Sequence, residues 1–224
     1  MVGMSDVVIT VRGSFQSSQS PERAAVHLSV QLEGREKAAV YTETRQVAAH
    51  VTASIEPLVD HEHGPVTWWA SDQLRTDAYR PFNKDGKQLP PVYRAAIPFA
   101  VKFSDFGALG EWLTDISERE GVSVERIEWA LTEKRRLALR DEARAAAVED
   151  ATRKAGAYAT ALGVGPVRPI ALADPGMLGD NVDATRSGVM YQASRAGAPA
   201  PRIEFVPQDV DIVAEVDARF VAER

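Results

Sequence analysis

Apolar and polar positions alternate over Arg23–Glu33. Ala24, Val26, Leu28, Val30 and Leu32 fall on one side, and Arg23, Ala25, His27, Ser29, Gln31 and Glu33 on the other. A period of two sends successive side chains to opposite faces of a sheet, so the segment reads as a half-buried strand. A shorter strand over Val7–Arg12 precedes it and ends at Gly13, before the polar turn SFQSSQSPE. After Gly34 the period lengthens. Val40, Thr44, Val47, Val51, Ile55 and Leu58 recur in steps of three and four, which predicts an amphipathic helix with Pro57 near its end.

Val66–Tyr79 and Val92–Phe103 read as two facing strands joined by RPFNKDGKQLPP, with Asp85-Gly86 at the reversal. Tyr93, Ala95, Ile97, Phe99, Val101 and Phe103 share one parity, and Pro98 marks an edge position or a bulge. Ser104 is the candidate N-cap of a second helix with Phe106, Leu109, Leu113 and Ile116 on its apolar side and Gly121 at its stop. Val122–Leu131 returns as a strand.

An alanine-paved helix then runs through Leu137–Pro166. Ala147, Val148, Ala151, Ala155, Tyr158 and Leu162 share about a third of its circumference. Glu149/Arg153 and Asp150/Lys154 are spaced to pair on the polar side, and Gly163 is placed as a C-cap. A short strand at Val167–Ala173 leads into residues 174–202, rich in Gly, Ala, Ser, Pro and Asp and without periodicity. This segment reads as a mobile insertion, or as an arm that orders against a partner chain. Val210, Ile212, Ala214, Val216, Ala218 and Phe220 close the chain as one face of a last strand. Hairpins without regular βαβ alternation indicate an α+β fold: a largely antiparallel sheet covered by three main helices, in a single domain over residues 1–224.

Composition narrows the function classes. A net charge of −6 disfavours nucleic acid as a partner, because phosphate neutralisation needs a clustered basic surface. Lys134, Arg135, Arg136, Arg140 and Arg144 are interleaved with Glu133, Asp141 and Glu142, as on a solvated helix face. The absence of cysteine excludes disulfides, thiol nucleophiles and cysteine metal sites. The opening MVGMSDVVITVRG has no basic leader or long apolar stretch, and no segment is apolar enough for a membrane span. The expected location is cytoplasmic.

Candidate chemistry is sparse. His61-Glu62-His63 is the one local cluster with metal-ligand chemistry, but two histidines fall short of the three or four ligands zinc takes. His27 and His50 could join only if the fold gathered them. Gly163-Val164-Gly165 closes a helix rather than opening one, so it is no dinucleotide fingerprint. No catalytic residue and no cofactor are assigned. Trp68 and Trp69 are adjacent on a strand and must face opposite ways, so they are the candidate interface residues.

Taken together, ITVRGSF, SPERAAVHLSVQLEG, Val92-Tyr93-Arg94-Ala95, EARAAAVEDATRKAGAYATALGVGPVRPI and IEFVPQDVDIVAEVDARFVAE resemble the SIMPL domain family in order and spacing over nearly the whole chain. Val92 and Gln208 stand where the family usually has glycine. The resemblance implies an α+β fold, self-assembly into a homo-oligomer, and an association with stress tolerance or with a protein partner. It carries over no catalytic residue. Many bacterial members begin with a secretion signal, which this opening does not resemble. The expectation is a non-enzymatic self-associating or partner-binding protein. The alternative is a small-molecule or metal binder, or an unrecognised enzyme, with its site near residues 174–202 or at His61/His63.

Overall fold

The computed structural model describes residues 6–82, 84–178 and 206–222. Residues 179–202 of the segment expected to be mobile lie outside the described residues. In chain order the elements are β1 (Val7–Gln19), β2 (Arg23–Gly34), α1 (Lys37–Ile55), β3 (Val66–Ser71), β4 (Arg75–Tyr79), β5 (Val92–Phe103), α2 (Phe106–Ser117), β6 (Val122–Ala130), α3 (Glu133–Leu162), β7 (Val167–Ala173) and β8 (Val210–Ala222). Among the described residues every pairing between these strands is antiparallel, and the fold is α+β. Where the sequence suggests one helix-covered sheet, the contacts divide the chain into two compact units, each with its own sheet.

One unit consists of β1, α3, β7 and β8. Its sheet has the order β1-β8-β7, with β1 paired to β8 along its whole length from Val7↔Ala222 to Gln19↔Val210. The polar stretch after Gly13 is therefore strand, not turn: it continues the ladder against the last strand of the chain. Ile9, Val11, Val216, Ala218, Phe220 and Ala222 face α3, which buries Ala147, Ala151, Ala155 and Ala159 against them.

The buried positions of α3 are Leu139, Ala143, Ala147, Ala151, Ala155 and Ala159, in uniform steps of four, together with Asp150. Each step of four advances about 40° around a helix of 3.6 residues per turn, so the stripe winds as the helix crosses a twisted sheet. Tyr158 and Leu162 consequently fall off the stripe that the sequence assigns them to and are exposed. Thr132 caps the start of α3, and Gly163 ends it at φ 67° in the left-handed region.

Gly13 is the point of closest approach. A Cβ built there would lie 2.0 Å from the Ala147 carbonyl oxygen and 2.7 Å from the Ala151 nitrogen. Both flanks of Gly13 are tied to the helix: Lys154 Nζ donates to the Arg12 carbonyl at 2.9 Å, and the Ser14 N–H donates to Asp150 Oδ2 at 2.9 Å. Asp150 also accepts from Lys154 at 2.7 Å and pairs with Arg153. It is buried, where the sequence places it on the polar side with Lys154 alone.

Lys154 and the Ser14 amide hold the Asp150 carboxyl below the usual aspartate range. A carboxyl whose pKa is lower folded than unfolded adds stability above the unfolded value, about 3.9, and loses it as pH falls through the folded value. Asp150→Asn is therefore expected to lower the melting temperature at pH 7, by a margin that shrinks below about pH 4. Melting curves of both proteins across that range test this; a margin that stays constant with pH would rule out ionisation as the cause.

The other unit contains β2–β6, α1 and α2. Its sheet has the order β3-β5-β2-β6, with β4 also paired to β5. Ala24, Val26, Leu28 and Val30 of β2 and Ile97, Phe99, Val101 and Phe103 of β5 form a core with Ala48, Val51 and Ile55 of α1 and Leu109, Trp112, Leu113 and Ile116 of α2. Helix α1 follows the predicted stripe, and Thr44, fully buried in it, donates its hydroxyl to the Val40 carbonyl at 2.7 Å. Helix α2 is capped by Asp105 rather than Ser104: the Asp105 carboxylate accepts from the Gly107 and Ala108 amides, while the Ser104 hydroxyl donates to the Gly64 carbonyl. The predicted strand Val66–Tyr79 is broken into β3 and β4. The break lies opposite Pro98, whose carbonyl accepts from the Asp72 amide at 2.9 Å, and which has no N–H to continue the ladder.

Candidate interaction surface

Strand parity separates the two adjacent tryptophans. Trp69 lies opposite Val101 and is partly buried against the core. Trp68 lies opposite Lys102, on the sheet face turned away from α1 and α2, and is 47% exposed. The Lys102 ammonium sits 5.7 Å from the Trp68 ring centroid, a cation–π arrangement on a residue that stays about half exposed.

A second group occupies the same sheet face where β4, β5 and β2 run side by side. Arg94 Nε donates to Glu33 Oε1 at 2.6 Å, the Tyr79 hydroxyl donates to Glu33 Oε2 at 3.0 Å, and the Arg94 guanidinium lies 5.3 Å from the Tyr79 ring centroid. Arg94 chiefly, and Tyr79 after it, holds the Glu33 carboxyl below its usual range, and Glu33 in turn raises the Tyr79 hydroxyl. The Glu33 charge is satisfied by these two donors and the phenol is harder to ionise. The cluster gathers an aromatic ring, a guanidinium and a carboxylate on this face.

His61 and His63 stand on a turn held by Asp60, whose Oδ1 accepts the Glu62 and His63 amides. His61 Nδ1 is 2.8 Å from the Thr67 carbonyl, and His63 Nδ1 is 3.9 Å from Glu62. Among the described residues no three His, Cys, Asp or Glu side chains are grouped to hold a metal ion, and His27 and His50 do not join the pair. His27 instead lies on the sheet face with Trp68, its Nε2 3.5 Å from Glu128.

A surface that the sequence reading misses lies in the unit of β1 and α3. A shallow cleft of about 370 Å³ is lined by Val7–Thr10 of β1 and by Tyr158, Ala161 and Leu162 of α3. Val8, Tyr158 and Leu162 are 57%, 54% and 62% exposed. The signal was present in the opening strand: Val7–Val11, VVITV, is an apolar, β-branched run with no charge or proline.

Within the α+β class the chain belongs to the SIMPL family. The model of that family, described as a protein of unknown function (DUF541), matches residues 9–220. No curated protein matches the sequence. No helix among the described residues is long and apolar enough to cross a membrane.

Proposed function

We propose that this SIMPL-domain protein is non-enzymatic and works by self-association into a homo-oligomer, with binding of a protein partner as the same surface's second use. The observation that carries the reading is Trp68: a large aromatic left 47% exposed on a sheet face, beside a cation, with the Tyr79–Arg94 pair on the same face at the other end of β5. Tryptophan, tyrosine and arginine are the residue types that dominate binding energy at protein interfaces. A link to stress tolerance extends the reading through the family resemblance, and loss of survival under stress in a strain lacking the gene would support it.

The test compares the two tryptophans. Trp68→Ala is expected to reduce the assembly's mass by light scattering while leaving the denaturation midpoint within about 0.5 kcal/mol, as for an ordinary surface change. Trp69→Ala is expected to cost about 2–4 kcal/mol of stability, somewhat less than a fully buried aromatic. A native protein that stays monomeric at high concentration would overturn self-association.

A further inference from the structure

An exposed strand edge offers unpaired N–H and C=O groups, and proteins usually guard such edges with charges, proline or bulges. The other edges described here follow that rule. β7 carries Pro169 and a register shift, β6 carries Glu125, Arg126, Glu128 and a register shift, β3 has a register shift after Val66, and β4 bears Arg75 and Asp77. Among the described residues β1 is also an edge strand, yet Val7–Val11 contains no charge, no proline and no register shift.

The free backbone groups on β1 follow from alternation. The Arg12 carbonyl and the Ser14 N–H are bonded to Lys154 and Asp150 of α3. Even-numbered residues therefore turn their peptide groups away from β8, and Val8 and Thr10 share that parity. Beside these two, α3 presents Tyr158, Ala161 and Leu162 in place of the polar groups that cover Arg12 and Ser14. Among the described residues, the outward groups of Val8 and Thr10 are thus uncovered and lie symmetrically about Ile9.

We propose that this edge pairs antiparallel with the same edge of a second copy, about a two-fold axis at Ile9, which rests on the self-association reading and gives it a second contact, distinct from the Trp68 face. In this register Val8 faces the partner's Thr10, and the two exchange a pair of hydrogen bonds on each side of the axis. Asp6, exposed just before β1, comes opposite the partner's Arg12, a cation that its own chain already pairs with Asp217 and Glu215. The register also keeps every side chain on its own face, since a shift by one residue would send the apolar set to the wrong side. Tyr158 and Leu162 of the two copies then meet over the axis and cover apolar surface that one copy leaves exposed. The result is one continuous sheet with both copies of α3 on the same face.

The chain has no cysteine, which makes cross-linking specific. The doubly substituted Val8→Cys/Thr10→Cys protein is expected to form a covalent dimer on mild oxidation, because hydrogen-bonded antiparallel pairs place their Cα atoms about 5.5 Å apart, within disulfide reach. Thr10→Pro removes the outward N–H without touching the ladder to β8 and is expected to weaken the dimer at least roughly tenfold. Leu162→Asp alters no strand residue and is expected to do the same, so the test survives if the proline variant does not fold. An assembly that neither variant weakens and that gives no cross-link overturns the edge pairing and leaves self-association standing. A monomer at every concentration overturns both.

Discussion

Gly13→Ala is expected to destabilise the β1–α3 unit by about 3 kcal/mol, the upper end of the usual cost of overpacking. Most overpacked sites relax by turning a side chain, but here the added methyl would meet the Ala147 carbonyl oxygen at 2.0 Å and the Ala151 nitrogen at 2.7 Å, both backbone. To make room, β1 must lift off the helix. Lys154 and Asp150 hold the strand down on either side of Gly13, so lifting it also stretches their bonds to the Arg12 carbonyl and the Ser14 amide. The same replacement at Gly156 is expected to act with the opposite sign. A Cβ there meets nothing within 4 Å, and alanine is favoured over glycine inside a helix by about 1 kcal/mol. Denaturant midpoints of the two variants measured together separate close packing from helix propensity. Equal effects at the two sites would mean that Gly13 is not a packing constraint.

Much of the fold was legible because burial alternates where the pattern is strong. The parity of Ala24–Leu32 and of Tyr93–Phe103 identifies the two central strands, and Gly163 marks the helix end through its left-handed backbone. What was not legible depends on distant partners. Ser14–Gln19 has a polar composition that reads as turn, and it is strand because residues near the chain's other end pair with it. The division into two sheets is hidden for the same reason: a strand's pattern shows which face is buried, not which sheet it joins. Ser104 and Asp105 are both capable caps, and only the backbone geometry selects the carboxylate. Of the candidate interface pair, alternation requires that the tryptophans point opposite ways, but the register against Val101 and Lys102 is needed to tell which is outward. The cleft at Tyr158 and Leu162 was missed because a stripe measured at fixed width ignores the winding of alanines spaced by four.

Phe103→Ala is expected to cost about 3–5 kcal/mol, as for a fully buried aromatic whose cavity cannot close. Phe103 has no exposed surface, lies 5.3 Å from the Trp112 ring in a tilted arrangement, and stands opposite both Ala24 and Val66. It therefore joins α2 to the sheet and fixes the start of β3. Trp112 is held from its other end by the bond from its Nε1 to the Ser54 hydroxyl at 3.0 Å, which limits how far it can move to fill the space. A register shift separates the Val66–Phe103 pair from the Trp68–Lys102 pair, so the buried phenylalanine anchors the start of β3 and does not itself set the outward direction of Trp68. This gives the two substitutions opposite signatures. Trp68→Ala should change assembly mass at an unchanged denaturation midpoint, whereas Phe103→Ala should lower the midpoint first and lose assembly only as molecules unfold. If Phe103→Ala lowers mass while the protein is still fully folded by circular dichroism, the strand's position governs association more than the indole surface does. If Trp68→Ala lowers the midpoint as far as Phe103→Ala, Trp68 belongs to the core and the interface reading of that face fails.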